Sequence, residues 1–188
     1  DEEPTENPNA SKPRYIWIDA AANFPDFANS KENIARDLAL AKDAGFTDIV
    51  VDVRPTTGDV LFKTNHVDQV KFMYAWIGSN YTKVERTATW DYLQAFVDEA
   101  RKQGLRIHAA INTFVGGNQI DGGTGLLYRD QSKAAWATQM NMQTGITSVM
   151  NTSESAKFFN PAHPEVQTFL CNLLKDLASY DLDGIFLD

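Results

Sequence analysis

Four short runs of apolar residues alternate along the chain with longer stretches in which apolar residues recur every three or four positions. The short runs are rich in β-branched or aromatic residues and have the length of β-strands. They cover residues 15–19, 48–54, 106–112 and 184–188. The longer stretches between them have the spacing of amphipathic helices. The order β-α-β-α-β-α-β predicts parallel strands that are joined by helical crossovers.

Residues that favour helix ends flank the three helical stretches. We predict that Ser30 caps the first helix and that Gly45 stops it. Thr89 is predicted to cap the second helix, which ends at Gly104, and Pro164 begins the third.

Each predicted strand has one purely apolar face, and its other face becomes polar toward the carboxyl end. This alternation is typical of a parallel barrel, in which one face packs on the helices and the other opens at the barrel mouth. An open doubly wound sheet tends to be apolar on both faces. The polar residues of the second face are Asp19, Asp52, Arg54, His108, Asn112 and Asp188.

These six side chains are expected to converge on one rim, where they would suit a neutral polyhydroxylated ligand such as a sugar. Asp188 is the catalytic candidate, because a carboxylate at the carboxyl end of a barrel strand has little structural purpose. The other five are predicted to bind substrate. Two alternatives stay open: Arg54 forms a structural ion pair with Asp52 or Asp19, and His108 is a core histidine with its hydrogen bonds satisfied.

Two connections, residues 55–88 and 113–163, are too long for structural turns and are rich in aromatic residues. Loops of this length are usually functional or disordered, and their aromatic content favours ordered walls of a cleft. The second contains the glycine-rich run 116–125, which lacks the lysine and the strand–helix context of a phosphate-binding loop. A nucleotide site is therefore the weakest option, and flexibility is the preferred explanation of the glycines.

Charge and composition exclude several classes of function. The chain has 17 Lys and Arg against 25 Asp and Glu, a formal net charge of −8, and no basic cluster for nucleic-acid binding. The single cysteine, Cys171, excludes an internal disulfide or a cysteine metal cage, and we expect neither a metal site nor a cofactor. No apolar run reaches the roughly 18–20 residues that span a bilayer.

The first twelve residues are acidic, rich in Pro and Asn, and without a large apolar side chain. This composition predicts a disordered tether. Because the chain begins without Met, we expect an exported bacterial protein at the cell surface or in the periplasm. It could be a lipoprotein with a lipid anchor upstream of residue 1. An arbitrary boundary explains the same start equally well.

Several short motifs along residues 13–188 together resemble the glycosyl hydrolase-like 10 family, bacterial proteins related to glycoside hydrolases that have a TIM-barrel fold. The chain departs from the family at Asp52, Ala110 and Thr113, where the family usually has Gln, Trp and Pro, so its substrate need not be that of better-known relatives. The motifs are Arg14-Tyr-Ile-Trp17, Val53-Arg54-Pro55 with Gly58-Asp59, Gly104-Leu-Arg-Ile-His108 running to Asn112, Phe159-Asn160-Pro161 with Pro164-Glu165-Val166, and Tyr180-Asp-Leu-Asp183-Gly184-Ile185 with Asp188.

The resemblance implies an α/β protein of the (β/α)8 TIM-barrel class, of which this chain supplies about the first four β/α units. Residues 13–188 would be the N-terminal half of the domain. It also implies a glycosidase that uses a carboxylate pair, with Asp188 as one member. The second member is expected beyond residue 188, with Asp52 or Asp19 as alternatives. Two competing interpretations are a chitinase-like hydrolase and a non-catalytic carbohydrate-binding surface protein on a degenerate barrel.

Overall fold

The structure, a computed structural model, describes residues 12–188, so the predicted tether falls almost entirely outside the described residues. The helices are Phe24–Phe27 (α1), Lys31–Asp43 (α2), Tyr92–Gln103 (α3), Leu126–Arg129 (α4) and Pro164–Leu177 (α5). The strands are Tyr15–Ile18 (β1), Asp48–Arg54 (β2), Phe72–Ile77 (β3), Asn80–Glu85 (β4), Arg106–Ile111 (β5), Val115–Asn118 (β6), Gln139–Met142 (β7), Gly145–Ser148 (β8), Ala156–Phe158 (β9) and Gly184–Leu187 (β10).

The four predicted strands form one parallel sheet in the order β1-β2-β5-β10, which confirms the predicted α/β alternation. Three of them end one residue earlier than predicted. Asp19, Asn112 and Asp188 therefore stand immediately beyond β1, β5 and β10. Within residues 12–188 the sheet stays open at both edges, and a closed barrel is not formed there.

The sheet is strongly curled. β1 and β10 are its two edge strands, and in a flat sheet three strand spacings would separate them by about 14 Å. The ring centroids of Trp17 on β1 and Phe186 on β10 nevertheless lie 5.6 Å apart, and those of Tyr15 and Phe186 lie 6.1 Å apart. The inward side chains of opposite edges thus meet across a concave face, as the wall of a barrel requires.

The outer, convex face of the sheet holds the hydrophobic core. Ile49, Val51 and Val53 of β2 are fully buried in a cluster that includes the apolar faces of α2, α3 and α5. The concave face carries the opposite parity, with buried Asp48 and Asp52 on β2. The two-faced pattern of the sequence therefore separates a packing face from a polar face.

The helix ends follow the predicted residues with one exception. The Ser30 hydroxyl accepts the Asn33 amide at 3.1 Å, and Gly104 ends α3 in the left-handed conformation at φ 66°. Asp91, not Thr89, caps α3, because its carboxylate stands directly before the first helical residue and accepts the Gln94 amide at 3.1 Å. The prediction for Thr89 was wrong by two positions.

The two long connections are built from antiparallel ribbons. β3 pairs with β4 in the first connection, and β6–β9 and β7–β8 pair in the second. Flexibility does not explain the glycine-rich run, because four of its five glycines allow close packing. Gly125 has φ 75°, and a Cβ there would lie 2.6 Å from the Gly116 carbonyl oxygen.

No helix in the described part of the chain combines the length and the apolar character that crossing a membrane requires.

Candidate functional site

A small pocket of about 130 Å³ lies where the four parallel strands end. In parallel sheets of this kind, ligands bind at the carboxyl ends of the strands. Larger hollows lie elsewhere, among them two of about 690 and 500 Å³ beside residues 63–71, and they include none of the six predicted site residues. The small pocket is lined by Trp17, Asp19, Ala21, Asp52, Pro55, Thr56, Ala110, Ile111, Asn112 and Asp188.

Asp52 is the most buried polar residue of this pocket, with 7% of its surface exposed. The pKa of its carboxyl group is raised from 3.8 to about 7, chiefly by burial and also by the negative charges of Asp19 and Asp188. Hydrogen bonds from the backbone amides of Arg54 and Ala20 oppose the shift without cancelling it. The side chain of Asp52 can therefore hold a proton near neutral pH.

Asp19 and Asn112 line the pocket from the ends of β1 and β5, and local hydrogen bonds fix both. One carboxylate oxygen of Asp19 accepts the amides of Ala21 and Ala22 at 2.9 and 2.7 Å. The side-chain amide of Asn112 donates to the Arg54 carbonyl oxygen at 2.9 Å. Polar groups held by backbone contacts keep their positions when a ligand arrives.

Asp188 lies at the pocket mouth with an exposed side chain. Its backbone is tied to the neighbouring strand: its amide donates to the Ile111 carbonyl at 3.0 Å, and its carbonyl accepts the Thr113 amide at 2.9 Å. The structure thus brings Asp188 together with Asp19, Asp52 and Asn112, as the shared parity predicted.

Arg54 does not join them, which corrects the expectation of a six-residue rim. A bulge between Asp52 and Arg54 shifts the register of β2, so Arg54 pairs with Ile111, whose side chain faces the core. The Arg54 guanidinium is buried, and it donates to the carbonyl oxygens of Asn112, Thr113 and Val115. Arg54 therefore stabilises the backbone that follows β5 and does not line the pocket. It forms no ion pair with Asp52 or Asp19.

His108 also lies outside the pocket. It has the parity of the rim residues, but it pairs with Gly184 at the amino end of β10, far down the concave face. Its Nε2 is 2.8 Å from the Asp48 carboxylate, and the ring packs against Tyr15 and Phe186. Side-chain alternation predicts the face of the strand on which a residue lies, but not its position along the strand. His108 is therefore a core histidine with a hydrogen bond, as the alternative interpretation held.

Trp17 and Thr56 line the pocket although the sequence argument did not select them. For Trp17, 48% of the surface is exposed, and its ring can cover the C–H face of a ligand. Its shared parity with Asp19 was the signal that could have identified it. Thr56 lies in an irregular connection, where no periodicity exists.

The pocket chemistry is that of proton transfer and hydroxyl recognition. Three carboxylates, one amide and one indole surround it, and Asp52 is poised to give or take a proton. Within residues 12–188 no group of three or more His, Cys, Asp or Glu side chains is arranged to hold a metal ion.

Comparison with known proteins places the chain among carbohydrate-related sequences. The model of the family described as Glycosyl hydrolase-like 10 matches residues 12–188. An S-layer-related protein of Niallia circulans is 30% identical over 186 residues, which cover 96% of this chain and 11% of that protein.

Solved structures share the fold at low sequence identity. The match to alpha-L-fucosidase isoenzyme 2 from Paenibacillus thiaminolyticus covers 93% of this chain and 23% of the fucosidase chain, with 20% sequence identity and a TM-score of 0.59. The match to an alpha-galactosidase from Thermus thermophilus covers 94% of this chain and 30% of the galactosidase chain, with 13% sequence identity and a TM-score of 0.54. The chain therefore spans a minor part of each of these proteins.

Proposed function

The chain belongs to the glycosyl hydrolase-like 10 family, and on that premise we propose that it contributes the strand-end site of a glycoside hydrolase acting on a poly- or oligosaccharide. The observation that carries the proposal is the meeting of three carboxylates, Asp19, Asp52 and Asp188, in one pocket at the strand ends. Glycosidases cleave their bond with a pair of carboxyl groups of unequal acidity.

Asp52 is the proposed proton donor. A general acid must be protonated at the working pH and must still give up its proton readily, which a pKa near 7 satisfies. Burial and two neighbouring carboxylates raise the pKa of Asp52 to this range. An apolar environment raises the pKa of the catalytic acid in other glycosidases in the same way.

Asp188 is the proposed partner. Its side chain is exposed at the mouth, where a carboxylate can approach the anomeric carbon or activate a water molecule. Asp19 and Asn112 supply fixed oxygen and amide groups for sugar hydroxyls, and Trp17 supplies a ring for a C–H face. Arg54 acts indirectly, by holding the backbone on which Asn112 stands.

Location at the bacterial cell surface fits this function, and the S-layer-related relative supports it. The same relative also favours a second candidate, a carbohydrate-binding surface protein without turnover. A fold of this class does not by itself imply catalysis. A lipid anchor upstream of residue 1 stays a prediction.

Hydrolysis of a panel of oligosaccharides by the wild-type protein, followed by kinetics of Asp188→Asn, tests the proposal. The amide keeps the shape of the side chain but removes its basicity, so turnover falls by about 10²–10⁴-fold or more. Asp43→Asn removes the same charge from the exposed end of α2 and leaves turnover unchanged. Wild-type turnover by Asp188→Asn would remove this residue from the mechanism, and saccharide binding without hydrolysis by the wild type would favour the binding protein.

A further inference from the structure

The β3–β4 hairpin presents a largely aromatic face to solvent. Its antiparallel register pairs Trp76 with Tyr81 and Tyr74 with Lys83, so these side chains share one face. Met73 and Ala75 point the other way and are buried. The exposed face consists of Phe72, Tyr74, Trp76, Tyr81, Lys83 and Glu85.

Three rings of this face form a continuous surface, which we call the aromatic platform: Tyr74, Trp76 and Tyr81. The centroids of Tyr74 and Tyr81 lie 5.4 Å apart with 27° between the ring planes, and those of Trp76 and Tyr81 lie 5.3 Å apart. Trp76 is 67% exposed and Tyr81 58%. Adjacent exposed rings of this size are typical of a binding surface, since folding normally hides them.

The platform is held in place by the neighbouring strand-end connection. Asp121, a non-glycine residue at φ 49°, accepts the Tyr74 hydroxyl at 3.0 Å and the Lys83 ammonium at 2.7 Å. The side chain of Asn29 donates to the Glu85 carbonyl at 2.8 Å from the other side. Rigid aromatic rings lose little conformational entropy when a ligand stacks on them.

Charge and chemistry together favour a neutral saccharide as the occupant. Lys83 and Asp121 neutralise each other, so the platform offers no cluster of positive charge for an anionic ligand. Its rings end in hydroxyl and indole N–H groups, which can bind sugar hydroxyls while the ring faces cover C–H patches. The β7–β8 hairpin differs, because it exposes the apolar side chains of Ile146 and Met142, which have neither an aromatic ring face nor a hydroxyl or N–H group.

We propose that the aromatic platform binds a neutral polysaccharide chain, at a site separate from the strand-end pocket. Trp17 is the aromatic residue of that pocket, and no platform residue lines it. The proposal shares the carbohydrate class with the proposed function but rests on different residues. Each can therefore fail without the other.

Native gel electrophoresis through gels that contain β-glucan, xylan, galactomannan or polygalacturonate tests the platform. The wild-type protein is expected to be retarded by at least one of the three neutral polymers. Trp76→Ala and Tyr81→Ala each weaken this retardation by about tenfold or more, as truncation of a central aromatic contact does. Ile146→Ala, the matched control on the other hairpin, migrates like the wild type.

Two further readouts separate this site from the pocket and from folding. Asp52→Asn keeps the retardation, so a failure of catalysis is read independently of a failure of the platform. Circular dichroism of Trp76→Ala stays native, because the indole is mostly exposed. Free migration of the wild type in all three neutral gels, retardation by polygalacturonate alone, or unchanged retardation of both platform variants would overturn the proposal. So would a wild-type dimer that Trp76→Ala dissolves, since it would assign the face to a second copy.

Discussion

Asp48 and Asp52 lie four residues apart on β2, on the same concave face, and both are buried, with 0% and 7% of their surfaces exposed. Their acidities move in opposite directions. The pKa of Asp48 is well below its ordinary value of 3.8, whereas that of Asp52 is raised to about 7.

Burial and partners together explain the difference: burial is the largest cause of the raised pKa of Asp52, whereas at Asp48 hydrogen bonds outweigh burial. Arg106 binds both carboxylate oxygens of Asp48 at 2.7 Å, and Thr47 and His108 add further hydrogen bonds. Asp52 accepts hydrogen bonds from backbone amides only. The carboxylates of Asp19 and Asp188 raise its pKa, and the nearby Arg54 guanidinium donates no hydrogen bond to it. Burial without a counter-charge favours the protonated acid, and burial against an arginine favours the ion.

The two ends of one strand thus serve different purposes. At the amino end Asp48 is hydrogen-bonded to Arg106, Thr47 and His108, which is the pattern of a structural network. At the carboxyl end the carboxylates face one another around a cavity, an arrangement that costs stability and is typical of functional sites. The following predictions test this division.

Loss of turnover is the largest expected effect. Asp52→Asn removes the proposed proton donor and lowers turnover by about 10²–10⁴-fold, and wild-type turnover declines above pH 7 as Asp52 loses its proton. Asp48→Asn, assayed well below its melting temperature, keeps turnover. An equal loss of turnover in the two variants, measured by steady-state kinetics, would contradict the functional difference between the two ends of β2.

Asp48→Asn is expected to cost stability instead. The amide keeps one acceptor oxygen but removes the counter-charge of Arg106 and one of its two carboxylate contacts, which lowers the free energy of unfolding by about 2–4 kcal/mol. A carboxyl group with a lowered pKa stabilises the fold above its ordinary pKa, so this loss shrinks as the pH falls below 3.8. Urea denaturation at pH 7 and pH 3 measures both values, and a cost equal at the two pH values would contradict the ion-pair account.

Asp52→Asn has the opposite and smaller effect on stability. Because the folded pKa is raised, the ionised form destabilises the wild type, and the deficit grows from pH 3.8 to about 7 and is constant above. The variant should gain about 1–3 kcal/mol at pH 8 and nothing at pH 3.5. Thermal melts at both pH values check this, and a destabilised variant at pH 8 would show that the fold stabilises the ionised form of Asp52.

Strand identity and face could be predicted from the sequence, because side-chain alternation is a local property. It located the four parallel strands and brought Asp19, Asp52, Asn112 and Asp188 to one pocket. Alternation does not report register, however. The bulge that turns Arg54 away and the pairing that sets His108 at the other end depend on neighbouring strands.

The pKa of Asp52 and the structure of the two long connections could not be predicted from sequence patterns either. The pKa of Asp52 depends on groups that come from the ends of β1 and β10 and on the burial they create together. The hairpins follow from pairing inside the connections, and the glycines of residues 116–125 serve a close approach of two backbone segments that are distant in sequence.

Carboxyl-carbon NMR titration of the wild-type protein tests the difference between the two aspartates most directly. Asp48→Asn and Asp52→Asn assign the two signals by their absence. The account predicts a midpoint near pH 7 for Asp52, and a carboxylate at Asp48 that stays ionised well below pH 3.8. Midpoints near pH 4 for both residues would contradict it.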